Sequence, residues 1–156
     1  MTNATTITAQ PGEPIIDIVR IVDAPIADVY RAYTEADLVS QWLGPRGYEM
    51  KVEVYDVRDG GTYRYTHTNP EGESFGFRGV FHSVSPDRII QTFEFEGAPG
   101  HVSLESATFE DLGDKTRVHG HSVYFSIDDR DALINSGMEM GVVQGFERLD
   151  ELLARV

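Results

Sequence analysis

Residues 62–96 read TYRYTHT (Thr62–Thr68), NPEG (Asn69–Gly72), Glu73, SFGFRGVFHSV (Ser74–Val84), SPD (Ser85–Asp87) and RIIQTFEFE (Arg88–Glu96). The three longer runs are rich in aromatic and β-branched residues, and the separators are built from Asn, Pro, Gly, Ser and Asp. That is the pattern of strands joined by tight turns in an antiparallel sheet. The pattern extends both ways. Upstream, Tyr48–Val57 leads into the turn Asp59-Gly60-Gly61. Downstream, Gly97-Ala98-Pro99-Gly100 introduces the strand Val102–Glu110, and Asp111-Leu112-Gly113-Asp114 introduces the strand Thr116–Phe125. Further upstream, IIDIVRIV (Ile15–Val22) is β-branched and nearly continuous, as expected of a strand covered on both faces. The sheet so read has seven strands.

Between the first two strands lies a helical insert. Pro25 suits the first turn of a helix, and Val29, Tyr30 and Tyr33 fall at helical spacing. A second short piece runs from about Glu35 to Gln41, and Trp42-Leu43-Gly44-Pro45 closes the insert, so Trp42 is expected to be buried. After the sheet the period changes. Ile134, Met138, Gly141, Val142, Gly145, Leu149, Leu152, Leu153 and Val156 trace one helical face. Asp128, Asp129 and Asp131 stand where a helix start favours acidic residues. Glu147, Arg148, Asp150, Glu151 and Arg155 are assigned to the wet face, and Ser136-Gly137 either kinks or divides the segment. A seven-stranded sheet exposes a large apolar face unless something covers it, and only this terminal helix is long enough. The expected architecture is therefore α+β: a curved antiparallel sheet wrapped around a long carboxy-terminal helix, with a cavity left at the end closed by the insert.

The segments RIVDAP (Arg20–Pro25), QWLGPRG (Gln41–Gly47), DVRDGGTYRY (Asp56–Tyr65), FRGVFHSVSP (Phe77–Pro86), FEFEGAPGH (Phe93–His101) and the tail SGMEMG…RLDELL resemble the START-like superfamily. It is also called SRPBCC or birch-pollen-allergen-like, and its architecture is the helix-grip fold. Within it the chain most resembles the family named for activators of the ninety-kilodalton heat-shock-protein ATPase. The likeness spans residues 15–156; the one visible departure is Gly145-Phe146, where many relatives carry Gly-Trp. The resemblance implies binding of hydrophobic small molecules, lipids among them.

Composition narrows the function classes. At 156 residues the chain fits one domain, read as residues 15–156 behind a flexible tail of residues 1–14. With no cysteine, thiolate catalysis and cysteine-based metal sites are excluded. No run approaches the ~20 apolar residues of a membrane helix, and the amino terminus lacks the basic start and apolar run of a secretory signal. A cytoplasmic location is expected. Thirteen basic against twenty-six acidic residues give a charge of −13, which repels phosphate backbones and anionic lipid surfaces. Neither nucleic acid nor membrane insertion is expected, and a homodimer is left open.

Strand parity selects the inner-face residues. Tyr63, Tyr65 and His67 share one face of their strand; Phe93 and Phe95 alternate with Glu94 and Glu96; Phe77 joins them. Ala107 and Phe109 point inward, which puts Glu105 on the same side. With Met138, Gly141 and Val142 from the helix, these are the expected ligand-binding residues: Tyr63, Tyr65, His67, Phe77, Phe93, Phe95, Glu105, Met138, Gly141 and Val142. His67 and Glu105 are the acid–base pair that can be placed inside. Gly137, Gly141 and Gly145 form a four-residue stripe, each costing about 1 kcal/mol against alanine in a helix. Either the helix lies very close to the sheet or the stripe makes room for a ligand. His119-Gly120-His121 puts two imidazoles on one strand face, together with Arg117 and opposite Val118, hence on the outer surface. No third ligand is evident, so no metal or other cofactor is expected. No phosphate loop, nucleophile triad or dinucleotide fingerprint is present.

The expected function is binding of a small hydrophobic, aromatic or polyketide-like molecule between sheet and helix, without an assigned catalytic residue. Two alternatives remain. One is a cyclase or aromatase using the same cavity through His67, Glu105 or a tyrosine. The other is a co-chaperone-like interaction module with a chaperone partner, acting through the acidic surface.

Overall fold

The computed structural model describes residues 3–155. Along the chain the elements are β1 (Thr5–Thr8), β2 (Ile15–Val22), α1 (Ile26–Thr34), α2 (Ala36–Val39), β3 (Glu49–Tyr55), β4 (Thr62–Thr68), β5 (Ser74–Ser85), β6 (Arg88–Phe95), β7 (Val102–Asp111), β8 (Thr116–Val123), α3 (Ile127–Asn135) and α4 (Met138–Leu153). The sheet runs β1-β2-β8-β7-β6-β5-β4-β3, with every neighbouring pair antiparallel. The meander read from the turns is therefore continuous from β3 to β8, and β2 returns to pair with β8. Register shifts at Val52/Val54 and Phe81/Ser83 are bulges, which bend strands and increase their twist.

Among the described residues the sheet has eight strands rather than seven. The addition is β1, inside the segment expected to be a flexible tail. Its TTIT sequence is almost wholly β-branched, and it pairs with the edge of β2 from Thr5↔Arg20 to Thr8↔Asp17. Two arginines tie it down: Arg20 Nη1 donates to Thr5 Oγ1 at 3.0 Å, and Arg130 Nη1 donates to the Gln10 carbonyl at 2.9 Å. Neither partner is adjacent in sequence, so local polarity suggested a tail.

Ser136-Gly137 divides the terminal segment. Gly137 has φ +84°, a left-handed conformation that favours glycine, and it separates α3 from α4. Ser126 caps α3, accepting the Asp129 N–H at 3.0 Å, with Asp128 and Asp129 in the first turn. α4 buries Gly145, Phe146, Leu149, Leu152 and Leu153; Val156, expected on the same face, lies outside the described residues.

One wet-face expectation fails. Asp150 is only 20% exposed, and its Oδ2 accepts from Nη2 of the fully buried Arg20 at 2.5 Å. Arg148 is likewise engaged, donating to the carbonyls of Gln41, Gly44 and Pro45. These contacts fasten α4 to β2 through Asp150 and to the insert through Arg148. Trp42 is 4% exposed, as expected from its place in the insert.

Candidate ligand-binding site

Three neighbouring strands, β4, β5 and β6, deliver the aromatic residues. Tyr65 pairs with Phe77, Phe77 with Phe95, and His67 with Phe75, so strand period alone brings these side chains to one face. Their rings form one continuous array: Tyr63–Tyr65 5.8 Å, Tyr65–Phe77 5.4 Å, Phe77–Phe93 5.4 Å and Phe77–Phe95 5.3 Å between centroids. Tyr63 and Tyr65 are buried, whereas Phe77, Phe93 and Phe95 keep part of their surface accessible. Burial pushes the phenols of Tyr63 and Tyr65 far above their ordinary range, so both remain neutral. The Tyr63 hydroxyl donates to the Thr92 carbonyl at 2.6 Å across Gly79, where a Cβ would fall 2.6 Å from that hydroxyl. Glycine at position 79 is thus required by the close passage of both the Thr92 carbonyl, 2.1 Å from that Cβ position, and the Tyr63 ring.

His67 closes one end of the array. It is 8% exposed and lies 5.2 Å from Tyr65 and 5.6 Å from Phe77, ring to ring. The Gly44 backbone presses onto it so closely that a Cβ at Gly44 would lie 2.7 Å from Cε1. Burial, aided by the positive charge of Arg148, lowers its pKa to about 4, so the imidazole is neutral at pH 7. Its Nδ1 is buried and has no hydrogen-bond partner among the described residues. An unsatisfied buried polar atom costs about 1–3 kcal/mol.

Glu105 lies further along the inner face, on β7 between Gln91 and Ser122. Its Oε2 has only long contacts, with Ser122 Oγ at 3.4 Å and Ser103 Oγ at 3.5 Å. Burial pushes the carboxyl up to about 7, against the weaker pull of those two hydroxyls.

These two groups impose opposite pH slopes on stability. For His67 the folded pKa lies below the unfolded 6.5, so its contribution is lost as pH falls from 6.5 to about 4. For Glu105 the folded pKa lies above the unfolded 4.5, so stability is lost as pH rises from 4.5 to about 7. Each displacement corresponds to at most on the order of 3 kcal/mol, and the two nearly cancel between pH 4.5 and 6.5. Relative to the parent, Glu105→Gln should gain stability as pH rises through 5–7, and His67→Gln should gain as pH falls through 6–4. Urea midpoints measured across pH check this; a Glu105→Gln profile parallel to the parent's would show that the carboxylate is solvated.

The helix side differs from expectation. Val142 is half-buried and packs against the core, and Met138 is half-buried at the start of α4. Gly141 does not face open space: its Cβ position lies 3.6 Å from Pro45 Cδ, and that of Gly145 lies 3.4 Å from the Trp42 carbonyl oxygen. The stripe therefore exists where α4 lies against the insert, and Gly141 belongs to that contact. Two surface concavities also lie elsewhere. One of about 430 Å³ runs between α2 and β3, lined by Ala36, Ser40, Met50 and Tyr55 among others. Another of about 290 Å³ lies beside Leu104, Val123 and Phe125. Neither includes any of the ten expected residues.

On the outer face, His119 and His121 are half-exposed, as parity required, but a third candidate ligand accompanies them. Asp17 of β2 pairs in register with His121, and its Oδ1 lies 2.9 Å from His119 Nε2 and 2.7 Å from His121 Nδ1. Nothing local in the sequence signals a partner on a strand about a hundred residues away.

A family model described as activator of Hsp90 ATPase homolog 1-like protein matches residues 23–154. No curated protein matches the chain. Among solved structures, a protein from Arthrobacter aurescens superposes with a TM-score of 0.88 at 23% identity, covering 97% of this chain and 92% of its own. One from Rhodobacter sphaeroides gives 0.88 at 24%, covering 98% and 100%. CalU16 from Micromonospora echinospora gives 0.59 at 20%, covering 97% and 84%. These likenesses concern the fold.

Proposed function

The chain belongs to the activator of Hsp90 ATPase homolog 1-like family, and from that premise we propose that it binds a small hydrophobic molecule, aromatic or polyketide-like, between the inner face of the sheet and α4. One observation carries the assignment: among the described residues, the buried His67 Nδ1 stands without a partner beside the rings of Tyr65 and Phe77. A neutral imidazole can donate or accept, so a ligand with one polar group and a flat apolar body satisfies the nitrogen and stacks on the rings. Phe77, Phe93 and Phe95, half-accessible on an otherwise packed face, supply the apolar contact. Ligand sites of this kind are mostly apolar with a few placed polar atoms. Tyr63, Tyr65, Glu105, Met138 and Val142 complete the proposed surroundings, while Gly141 acts at one remove by letting the insert approach α4.

His67→Phe tests this directly. The substitution keeps an aromatic ring and removes the unsatisfied nitrogen, so the melting temperature should hold or rise. Binding of 8-anilinonaphthalene-1-sulfonate, and any added mass seen by native mass spectrometry of the freshly purified chain, should fall roughly tenfold or more. Unchanged binding would place the ligand elsewhere. Glu105 favours a second reading, turnover in the same space, because a carboxyl titrating near 7 is suited to proton transfer. In that case Glu105→Gln retains uptake but accumulates an unreacted species. Salt-sensitive retention of an Hsp90-class chaperone, with no mass added to the chain, would move the assignment to protein interaction.

A further inference from the structure

Asp17, His119 and His121 stand on the side of the sheet opposite the proposed ligand site. We propose that they form a binding site for one divalent transition-metal ion of the zinc class, with the protein supplying three ligands and water the remainder. The donor atoms His119 Nε2, His121 Nδ1 and an Asp17 carboxylate oxygen all lie within 4.8 Å of one another. At present both imidazole nitrogens converge on the single oxygen Oδ1, at 2.9 and 2.7 Å. Zinc bonds of ~2.0–2.1 Å at tetrahedral angles set neighbouring donors roughly 3.3 Å apart. Each imidazole nitrogen needs to draw back from that oxygen by only about half an ångström, which small side-chain rotations provide, and the ion then takes the place of the two hydrogen bonds.

The scaffold suits such a site. Pairing of β2 with β8 is unbroken from Ile15↔Val123 to Val22↔Thr116. Asp17 stands directly opposite His121, with His119 on the diagonal, and Gly120 between the histidines faces Ile18 on the other side. Donors on paired strands are positioned more firmly than donors on loops. Competing charge is limited: Arg117, the next residue on that face of β8, is ion-paired with Glu110. Thr8 stands across from Asp17, Ser106 across from His121 and Thr108 across from His119, leaving hydroxyls to orient bound water. Two imidazoles and one carboxylate favour zinc, copper or nickel over calcium or magnesium, which prefer all-oxygen sets. Three protein ligands with open positions distinguish the site from a closed structural one.

An ion here joins β2 to β8, and because it binds only the folded arrangement it should raise stability with concentration. The test uses the untagged full chain and zinc chloride alone. Calorimetric titration should give one ion per chain, with a zinc-dependent rise in melting temperature that chelation reverses. His119→Ala and His121→Ala should each weaken the affinity at least tenfold. His101→Ala, whose ring pairs instead with Asp129, should leave it unchanged. In NMR spectra zinc should shift the ring protons of His119 and His121 before any others, a readout independent of stability. No saturable binding by the parent, or binding retained in the His119→Ala/His121→Ala double variant, overturns the proposal.

Discussion

Asp150→Ala is expected to destabilise the protein by roughly 3–5 kcal/mol, the cost of leaving a buried charge without its partner. The charge is Arg20, 1% exposed on the inner side of β2. Its guanidinium gives Nη2 to Asp150, Nη1 to Thr5 and Nε to the Ile21 carbonyl, and lies 5.8 Å from the centre of the Phe146 ring. Asp150 also accepts the Asp23 backbone N–H through its second oxygen. Removing the carboxylate leaves the buried arginine without its counter-charge and frees the link between α4 and β2. Replacing both partners, as Arg20→Met with Asp150→Leu, should recover most of the loss, since apolar pairs often replace buried ion pairs at little cost. The expected signature in urea is a lower midpoint for Asp150→Ala at unchanged slope, largely insensitive to salt. A loss below about 1 kcal/mol would mean that Arg20 is solvated.

That ion pair also marks where sequence reading stops. The alternation of Tyr63, Tyr65 and His67, or of Phe93 and Phe95, is a local property of a strand, so the inner aromatic face could be found from the sequence. Helical spacing similarly located Leu149, Leu152 and Leu153. Asp150 falls on the charged side of the same helix, and only the approach of β2, 130 residues earlier, turns it inward. Arg148 and Asp17 were hidden for the same reason: their partners are set by tertiary register, not by spacing. The glycine stripe misled in another way. Its regular period suggested one cause, but Gly137 satisfies a left-handed turn whereas Gly141 and Gly145 admit the insert. β1 was missed because edge pairing depends on the neighbour more than on the strand itself.

The second large effect concerns the insert that Gly145 admits. Trp42→Ala should cost roughly 3–5 kcal/mol, as removal of a buried indole usually does. The ring is tilted against Tyr33 at 4.8 Å and stacked toward Phe146 at 6.5 Å, while its Nε1–H donates to the Ala32 carbonyl at 2.9 Å. That carbonyl lies in the last turn of α1, where backbone oxygens lack helical partners. The alanine variant thus opens a cavity and leaves an acceptor unpaired. Trp42→Phe fills most of the space without the N–H and should lose about 1–2 kcal/mol, which separates packing from hydrogen bonding. The Gly44 backbone that covers His67 is only two residues away. Trp42→Ala should therefore also loosen that cover and raise the His67 pKa from about 4 toward 6.5. Proton NMR of the imidazole reads this shift in the fraction that remains folded. A destabilised variant with an unmoved His67 would show that β4, rather than the insert, keeps the imidazole dry.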